Sequence, residues 1–174
     1  SFKKLELLKI ALTHSSFKKK EANNERLEFL GDRVLGLIIS QKLFNEFKND
    51  SEGELAKKFS YLVCKKTLKS VANDIFLKNH IKTSTDLKSS TVDSILSNSL
   101  EAIIAAIFLD SDLKKTSIIV LRLWKKYLHH IDLTYHDPKS QLQEWSLKNK
   151  KVLPVYNLKK KNRTRSQTLF FCAS

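Results

Sequence analysis

The position of proline is the sequence feature that most constrains the fold of this chain. The 174 residues contain two prolines and three glycines, and both prolines lie beyond residue 137. Proline lacks the backbone N–H and clashes with the preceding turn, so it breaks a helix interior. The first three quarters of the chain are free of this residue, and the sequence therefore predicts a mostly helical region there.

Apolar residues recur at helical spacing within this region. Residues 27–44 are apolar on most sides, which is typical of a buried central helix, and residues 94–109 form a second strongly apolar helix. A shorter apolar pattern covers residues 5–12. In 55–72 and 113–128 the apolar residues alternate more with lysines, so these helices are expected to be peripheral. The two apolar helices are therefore expected to pack against each other.

The C-terminal part has a different pattern. Asp137 and Pro138 supply a helix N-cap residue followed by proline at the first helical position, so a new helix is expected to begin there. Two strand-like segments follow, at 155–158 and 168–172, and the basic residues 159–165 would connect them. This order predicts a helix and two strands.

Charge and cysteine content limit the class of protein. Thirty-two Lys and Arg against 18 Asp and Glu give a net charge of +14, which favours a polyanionic partner. Cys64 and Cys172 form no CxxC pair, so no disulfide framework or zinc site is indicated. No apolar run approaches the ~20 residues that span a bilayer, and the N-terminus does not resemble a signal peptide. We expect a soluble, cytoplasmic protein, and the start at Ser1 without Met suggests a fragment of a longer product.

Three carboxylates share one face of the first apolar helix. Glu25, Glu28 and Asp32 are spaced i, i+3 and i+7. Burying them without cations would be costly, so arginine, lysine or a metal ion must neutralise them. Spacing alone favours the simpler interpretation, in which Asp32 pairs with Arg26 or Arg33, and leaves the metal open.

A second polar interruption favours the metal. Asn98 and Glu101 are spaced i and i+3 within the other apolar helix, where polar side chains need partners. Carboxylate and amide oxygens suit Mg²⁺ or Mn²⁺ better than zinc. A di-iron bundle would require Glu-x-x-His pairs, which these positions lack. No catalytic histidine, serine or cysteine is indicated, which leaves metal-assisted hydrolysis.

Residues 24–32 read NERLEFLGD, which resembles the signature motif of the ribonuclease III family. Three further motifs follow the family's order: ALTHSS at 11–16, SEGELAKKFSYLV at 51–63 and LEAIIAAIFLD at 100–110. DPKSQLQEW at 137–145 resembles the opening helix of the double-stranded-RNA-binding domain of bacterial members. The loop after Leu158 lacks the usual Gly-Pro-x-His pattern, and the last strand and helix of that domain are absent from the sequence.

The resemblance implies a mostly α fold in two parts. Residues 1–131 would form the all-helical endonuclease domain and 132–136 a linker. Residues 137–174 would form a truncated α+β (α-β-β) double-stranded-RNA-binding domain.

The resemblance also implies a ligand set. Glu28, Asp32, Asn98 and Glu101 would hold Mg²⁺, with Mn²⁺ as a substitute, and Asp32 and Glu101 would be catalytic. Asn98 stands where the family usually has Asp. Its amide oxygen can coordinate a cation but lacks the negative charge.

Further positions are matched by the same resemblance. Glu25 and Glu52 match two additional acidic positions, and Phe29 matches the aromatic residue that enters a socket on the partner of a homodimer. In the second domain, three residues match contacts to the RNA minor groove: Ser140, Gln143 and Glu144.

The activity implied is cleavage of double-stranded RNA by two-metal-assisted hydrolysis, leaving 5′-phosphate and 3′-hydroxyl ends, in the processing of ribosomal and other RNA. The alternative is a catalytically weakened or silent relative that binds double-stranded RNA, because Asn98 replaces Asp. A helical oligomerisation module is a third hypothesis, and it leaves the aligned carboxylates unexplained.

Overall fold

A computed structural model of the chain describes residues 2–17, 22–84, 89–131, 138–150 and 152–154. The chain divides into two compact units, Ser1–Leu133 and Thr134–Ser174. The predicted linker at 132–136 lies outside the described residues, so the proposed domain boundaries stay a prediction.

In the described part of the first unit, the elements are helices, apart from one isolated β-bridge between Thr13 and Lys82. Its helices are α1 (Leu5–Ala11), α2 (Glu25–Glu46), α3 (Glu52–Val63), α4 (Lys65–Asp74), a 3-10 helix (Leu77–His80), α5 (Ser89–Asp110) and α6 (Leu113–His129). The prediction of a mostly helical first three quarters is confirmed.

The second unit contains α7 (Pro138–Lys150), which begins at the predicted proline. The two predicted strands, at 155–158 and 168–172, and the basic loop 159–165 lie outside the described residues. Within the part of this unit that the structure describes there is a helix and no strand, so the α-β-β arrangement is not shown.

The lysine-rich segment 55–72 contributes to two helices rather than one. Cys64 separates α3 from α4 with an extended backbone, at φ −70° and ψ 154°. Ser51 begins α3 with a capping box: its hydroxyl accepts from the Glu54 backbone N–H, and the Glu54 carboxylate accepts from the Ser51 backbone N–H. The break lets α4 turn back and pack against α5.

The predicted pair of apolar helices forms the centre of the first unit, where α2 packs against α5. At Gly31 the backbones approach so closely that an added Cβ would lie 1.8 Å from the Glu101 carbonyl oxygen. Only glycine fits there without a shift of one helix. α6 closes the core through Trp124, whose indole N–H donates to the Leu62 carbonyl at 2.9 Å.

Two expectations about these helices need correction. α2 is not buried on most sides, because Phe29, Leu37 and Phe44 are exposed on it. The expectation that no apolar run is long enough to cross a bilayer is also wrong for α5. By length and composition alone, Val92–Asp110 could span a membrane. That stretch is the core helix of the unit, and its Ala102 is fully buried. Its apolar character is accounted for by packing against α1, α2, α4 and α6.

Candidate active site

Four of the predicted site residues meet where α2 and α5 pack most closely. Glu28 and Asp32 flank Gly31 on α2, and Asn98 and Glu101 lie one turn apart on α5. The close backbone contact between Gly31 and Glu101 brings the two pairs together. The Asn98 side chain reaches the Glu28 carboxylate and favours its ionised form.

The carboxylates repel one another. Burial, followed by the charges of Asp32 and Glu28, raises the pKa of Glu101 to about 7. The pKa of Glu28 is also raised, chiefly by burial, although Asn98 opposes the shift. Partial desolvation and like charge both disfavour ionised carboxyl groups. Without a cation, Glu28 and Glu101 therefore hold protons more tightly than isolated carboxyl groups do.

The spacing of Asp32 left two interpretations open, pairing with an arginine or a place in a metal site, and the structure supports both. Its carboxylate pairs with Arg33 at 3.1 Å, and both side chains are substantially exposed. Its charge nevertheless contributes to the raised pKa of Glu101. Asp32 therefore pairs with a neighbouring arginine and also belongs electrostatically to the cluster around Glu101.

The donor chemistry fits a hard divalent cation, because the cluster offers carboxylate and amide oxygens and a charge repulsion that a cation would relieve. In the described part of the chain, however, no three His, Cys, Asp or Glu side chains close around one point. The Asp32 carboxylate pairs instead with Arg33. The donor atoms are therefore those that Mg²⁺ prefers, but the described carboxylates do not surround a single point.

Lys65 is a site residue that the sequence did not reveal. It is exposed at the start of α4, and its charge lowers the pKa of both Glu28 and Glu101. Nothing in the sequence separates it from the neighbouring lysines. Only the packing of α4 on α5 brings it near the carboxylates.

Asn24 anchors the start of α2, and His14 lies in the turn that precedes it. Asn24 is buried, its side-chain amide donates to the Ser99 hydroxyl at 3.3 Å, and its backbone N–H donates to the Thr13 carbonyl at 2.9 Å. The Ser16 backbone N–H donates to Nδ1 of His14 at 3.2 Å. Burial lowers the pKa of His14, and the charge of Glu25 opposes this. The backbone N–H of His14 donates to the Lys82 carbonyl at 3.0 Å, so this histidine joins the turn before α2 to the segment after the 3-10 helix.

The two additional acidic residues lie in different places. Glu25 is exposed at the start of α2, and its charge adds to the raised pKa of Glu28. Glu52 is exposed at the start of α3 and borders a groove with Leu37 and Phe44. It is not among the groups that shift the pKa of Glu28 or Glu101. The groove that Glu52 borders is lined by none of the four residues Glu28, Asp32, Asn98 and Glu101.

An apolar face runs along α2 beside the site. Phe29, Leu37 and Phe44 are 69%, 55% and 72% exposed, so Phe29 is not an ordinary core aromatic. The Arg33 guanidinium lies 5.8 Å from the centroid of the Phe29 ring. Farther along the helix, a groove of about 530 Å³ opens between α2 and α3, bordered by Phe44 and Phe59.

The three residues matched to RNA contacts lie on α7 in the second unit. The Gln143 side chain is half-buried. The side chains of Ser140 and Glu144 are outside the described part of the structure, so their predicted roles stay predictions.

Comparison with known proteins gives a consistent result. A family model described as ribonuclease-III-like matches residues 4–128. Over 178 residues the chain is 42% identical to Ribonuclease 3 of Rickettsia rickettsii, covering 98% of this chain and 78% of that protein. It is also 42% identical to Ribonuclease 3 of Rickettsia prowazekii, of which 79% is covered.

Solved structures agree. The nuclease domain of ribonuclease III from Campylobacter jejuni superposes with a TM-score of 0.69 at 44% identity, covering 75% of this chain and 92% of that one. Dicer from Pichia stipitis has a TM-score of 0.60 at 23% identity, with 98% and 80% covered. The second likeness shows a shared fold alone.

Proposed function

This chain belongs to the ribonuclease III family of endoribonucleases, and we propose that it cleaves double-stranded RNA by divalent-metal-assisted hydrolysis at the carboxylates of α2 and α5. The observation that carries the proposal is the meeting of Glu28, Asp32 and Glu101 at the closest approach of two core helices. Burial, together with the charges of Asp32 and Glu28, raises the pKa of Glu101 to about 7. Perturbed carboxyl groups of this kind are typical of functional sites.

Glu28, Asp32 and Glu101, with the amide oxygen of Asn98, would hold Mg²⁺, and Mn²⁺ would substitute for it. When bound, such ions lower the pKa of a water nucleophile and stabilise charge on the phosphoryl oxygens. In the hydrolysis proposed, water adds at phosphorus and the 3′-oxygen of the preceding nucleotide leaves. The products would carry a 5′-phosphate and a 3′-hydroxyl.

The protein's own residues have distinct parts in this proposal. Glu101, whose pKa is raised to about 7 in the absence of metal, would give up its proton when it holds a cation. Asn98 orients Glu28, whose ionised form it favours. Lys65 offsets negative charge beside the carboxylates, which would help an anionic backbone to approach.

We propose a homodimer formed through the apolar face of α2. Exposed large apolar side chains on one side of a helix are a typical interface feature, and Phe29, Leu37 and Phe44 supply them here. The Campylobacter jejuni structure is described as flexible in a region involved in dimer formation. That relative supports the proposal without fixing the contacts in this chain.

The dimer is tested with Phe29→Ala, which removes a large exposed aromatic from the proposed interface. Phe76→Ala is the matched control, since Phe76 is 72% exposed and lies outside α2. Sedimentation equilibrium should show a dimer that Phe29→Ala weakens and Phe76→Ala leaves intact. A monomeric unmodified chain at micromolar concentration would contradict the proposal.

The wider role proposed is processing of ribosomal and other RNA in the cytoplasm, without a membrane partner. Recognition would depend on A-form shape, phosphates and 2′-hydroxyls. Ser140, Gln143 and Glu144 on α7 would contribute contacts in the minor groove.

A second candidate function, that of a catalytically silent RNA-binding protein, is favoured by two observations. Asn98 is neutral, and the described carboxylates do not surround a single point. The two functions are separated by incubating purified protein with long duplex RNA, single-stranded RNA or duplex DNA in Mg²⁺ and in Mn²⁺. The nuclease proposal predicts metal-dependent cleavage of duplex RNA in preference to the other two. Duplex RNA that is bound but left intact in saturating Mn²⁺ would favour the silent protein.

A further inference from the structure

α6 carries a row of unpaired cations on its outward face. Lys114, Ile118, Arg122 and Lys125 are spaced i+4, i+4 and i+3, so they lie along one side of the helix. All four side chains are exposed, and Ile118 is 62% exposed. We call these four residues the α6 stripe.

The cations of the α6 stripe form no ion pair with the carboxylates that the structure describes. Two neighbouring lysines are paired: Lys115 with Asp112 at 3.3 Å and Lys126 with Asp74 at 2.6 Å. Among the residues that the structure describes, no carboxylate lies within salt-bridge distance of the three stripe cations. Their positive charge is therefore available to a partner.

The direction of the stripe is fixed by the opposite side of α6. Thr116, Val120 and Trp124 are fully buried there, and Trp124 is held by its hydrogen bond to Leu62. At 1.5 Å rise per residue, the cations from Lys114 to Lys125 extend over roughly 16 Å. The stripe is a rigid linear array.

The stripe is separate from the carboxylate site. The groups that shift the pKa of Glu28 and Glu101 belong to α2, α4 and α5, and the cation among them is Lys65. No described group of α6 is among the main causes of either shift. The stripe cations therefore do not act as counterions of the site.

We propose that the α6 stripe is a second contact surface for the phosphodiester backbone of RNA, outside the cleavage site. A linear array of cations matches the evenly spaced charges of a nucleic-acid backbone better than it matches a compact acidic patch on a protein. An anionic membrane fits less well, because a helix that lies on a membrane needs a free apolar face, and that of α6 is buried in the core. The identity of the polyanion as RNA rests on the proposed function.

The test compares two triple variants of equal charge. The stripe variant carries Lys114→Gln, Arg122→Gln and Lys125→Gln. The control variant carries Lys48→Gln, Lys57→Gln and Lys78→Gln, which are exposed lysines outside α6. Both variants lose three positive charges from the same starting value of +14, so their net charge is identical.

Binding of a long RNA duplex is measured in EDTA over a series of salt concentrations, so that cleavage does not interfere. The slope of log affinity against log salt should fall by about 1 for each lost phosphate contact, or about 3 for the stripe variant. The control variant should change it by less than about 1. Thermal melting of both variants checks that the exposed substitutions leave the fold intact.

Equal salt slopes for the stripe and control variants would overturn the inference, because general charge would then explain binding. Loss of binding to phosphatidylserine vesicles in the stripe variant, with RNA binding unchanged, would also overturn it. The result is independent of catalysis. An unmodified chain that binds RNA through the stripe but never cleaves it would contradict the proposed function and support the inference.

Discussion

The carboxylate site and the α6 stripe are two charged regions built in opposite ways. The carboxylates lie partly buried where α2 and α5 touch, and the pKa of Glu101 rises to about 7. The cations of the stripe are exposed on the outward face of α6. Desolvation makes a charge costly and chemically responsive, whereas water and salt screen an exposed charge. The first region is therefore suited to chemistry and the second to salt-sensitive binding.

Asn98→Asp should have the largest effect, because it adds a negative charge to the partly buried carboxylate site and leaves the stripe unchanged. If Asn98 limits the site, cleavage at low Mg²⁺ should rise by up to roughly 10²–10³-fold, the usual range for one positioned electrostatic group. The same variant should melt at a lower temperature without metal and recover when Mg²⁺ is added. Cleavage and melting across a Mg²⁺ titration measure both. Equal cleavage at all concentrations would show that Asn98 does not limit the site.

Gly31→Ala tests whether the close contact of α2 and α5 creates the site. The added Cβ would lie 1.8 Å from the Glu101 carbonyl oxygen, so one helix must shift. Overpacking of this kind typically costs about 1–3 kcal/mol, and the shift should reduce cleavage as well.

Gly36→Ala is the matched control on the same helix. Its Cβ would make an ordinary contact of 3.6 Å with Phe59, and alanine favours a helix over glycine by about 1 kcal/mol. Chemical denaturation should therefore show Gly31→Ala destabilised and Gly36→Ala unchanged or stabilised. Equal stability of the two variants would contradict the close packing at Gly31.

The raised pKa of Glu101 predicts a pH dependence of stability. The folded-state value of about 7 exceeds the ordinary value of 4.5, so its protonation stabilises the fold. That contribution is fully present below about pH 4.5 and is lost as the pH rises through about 7. Glu101→Gln cannot ionise, so its stability does not fall over this pH range. Without metal, its free energy of unfolding should exceed that of the natural chain by about 1–2 kcal/mol at pH 8, allowing for solvent screening. An advantage independent of pH would contradict a coupled cluster.

Lys65→Gln should have the smallest effect, because Lys65 is exposed. Removing a positive charge near the carboxylates should lower the Mg²⁺ concentration for half-maximal cleavage by roughly two- to five-fold, as expected for screened charges. Lys57→Gln is the control, since Lys57 is exposed on α3. An unchanged Mg²⁺ requirement in Lys65→Gln would show that its charge does not reach the bound ion.

The sequence predicted the helices of the first unit well, because their apolar spacing and the position of proline are local signals. It also placed Glu28, Asp32, Asn98 and Glu101 on two helices expected to pack together, and the structure brings those helices together. Periodicity identifies which residues share a face, and two apolar helices have few ways to bury themselves.

The remaining features depend on tertiary packing. The contribution of Lys65 arises only because α4 turns back at Cys64 and packs on α5. The exposure of Phe29 was not evident from an apolar pattern, since a pattern does not distinguish a core contact from an interface. The buried hydrogen bond of Asn24 to Ser99 joins residues 75 positions apart, and no local signal indicates such a pair.

The most direct test of the central claim is the initial rate of duplex RNA cleavage by the natural chain and by Glu101→Gln in saturating Mg²⁺, with RNA binding measured separately in EDTA. If the carboxylates of α2 and α5 form the cleavage site, Glu101→Gln should lose at least about 10²–10³-fold in rate while its binding of RNA stays within about two-fold of the natural chain, because only the ionisable group is removed. Equal cleavage by the two proteins would contradict the claim and place the chemistry elsewhere in the chain.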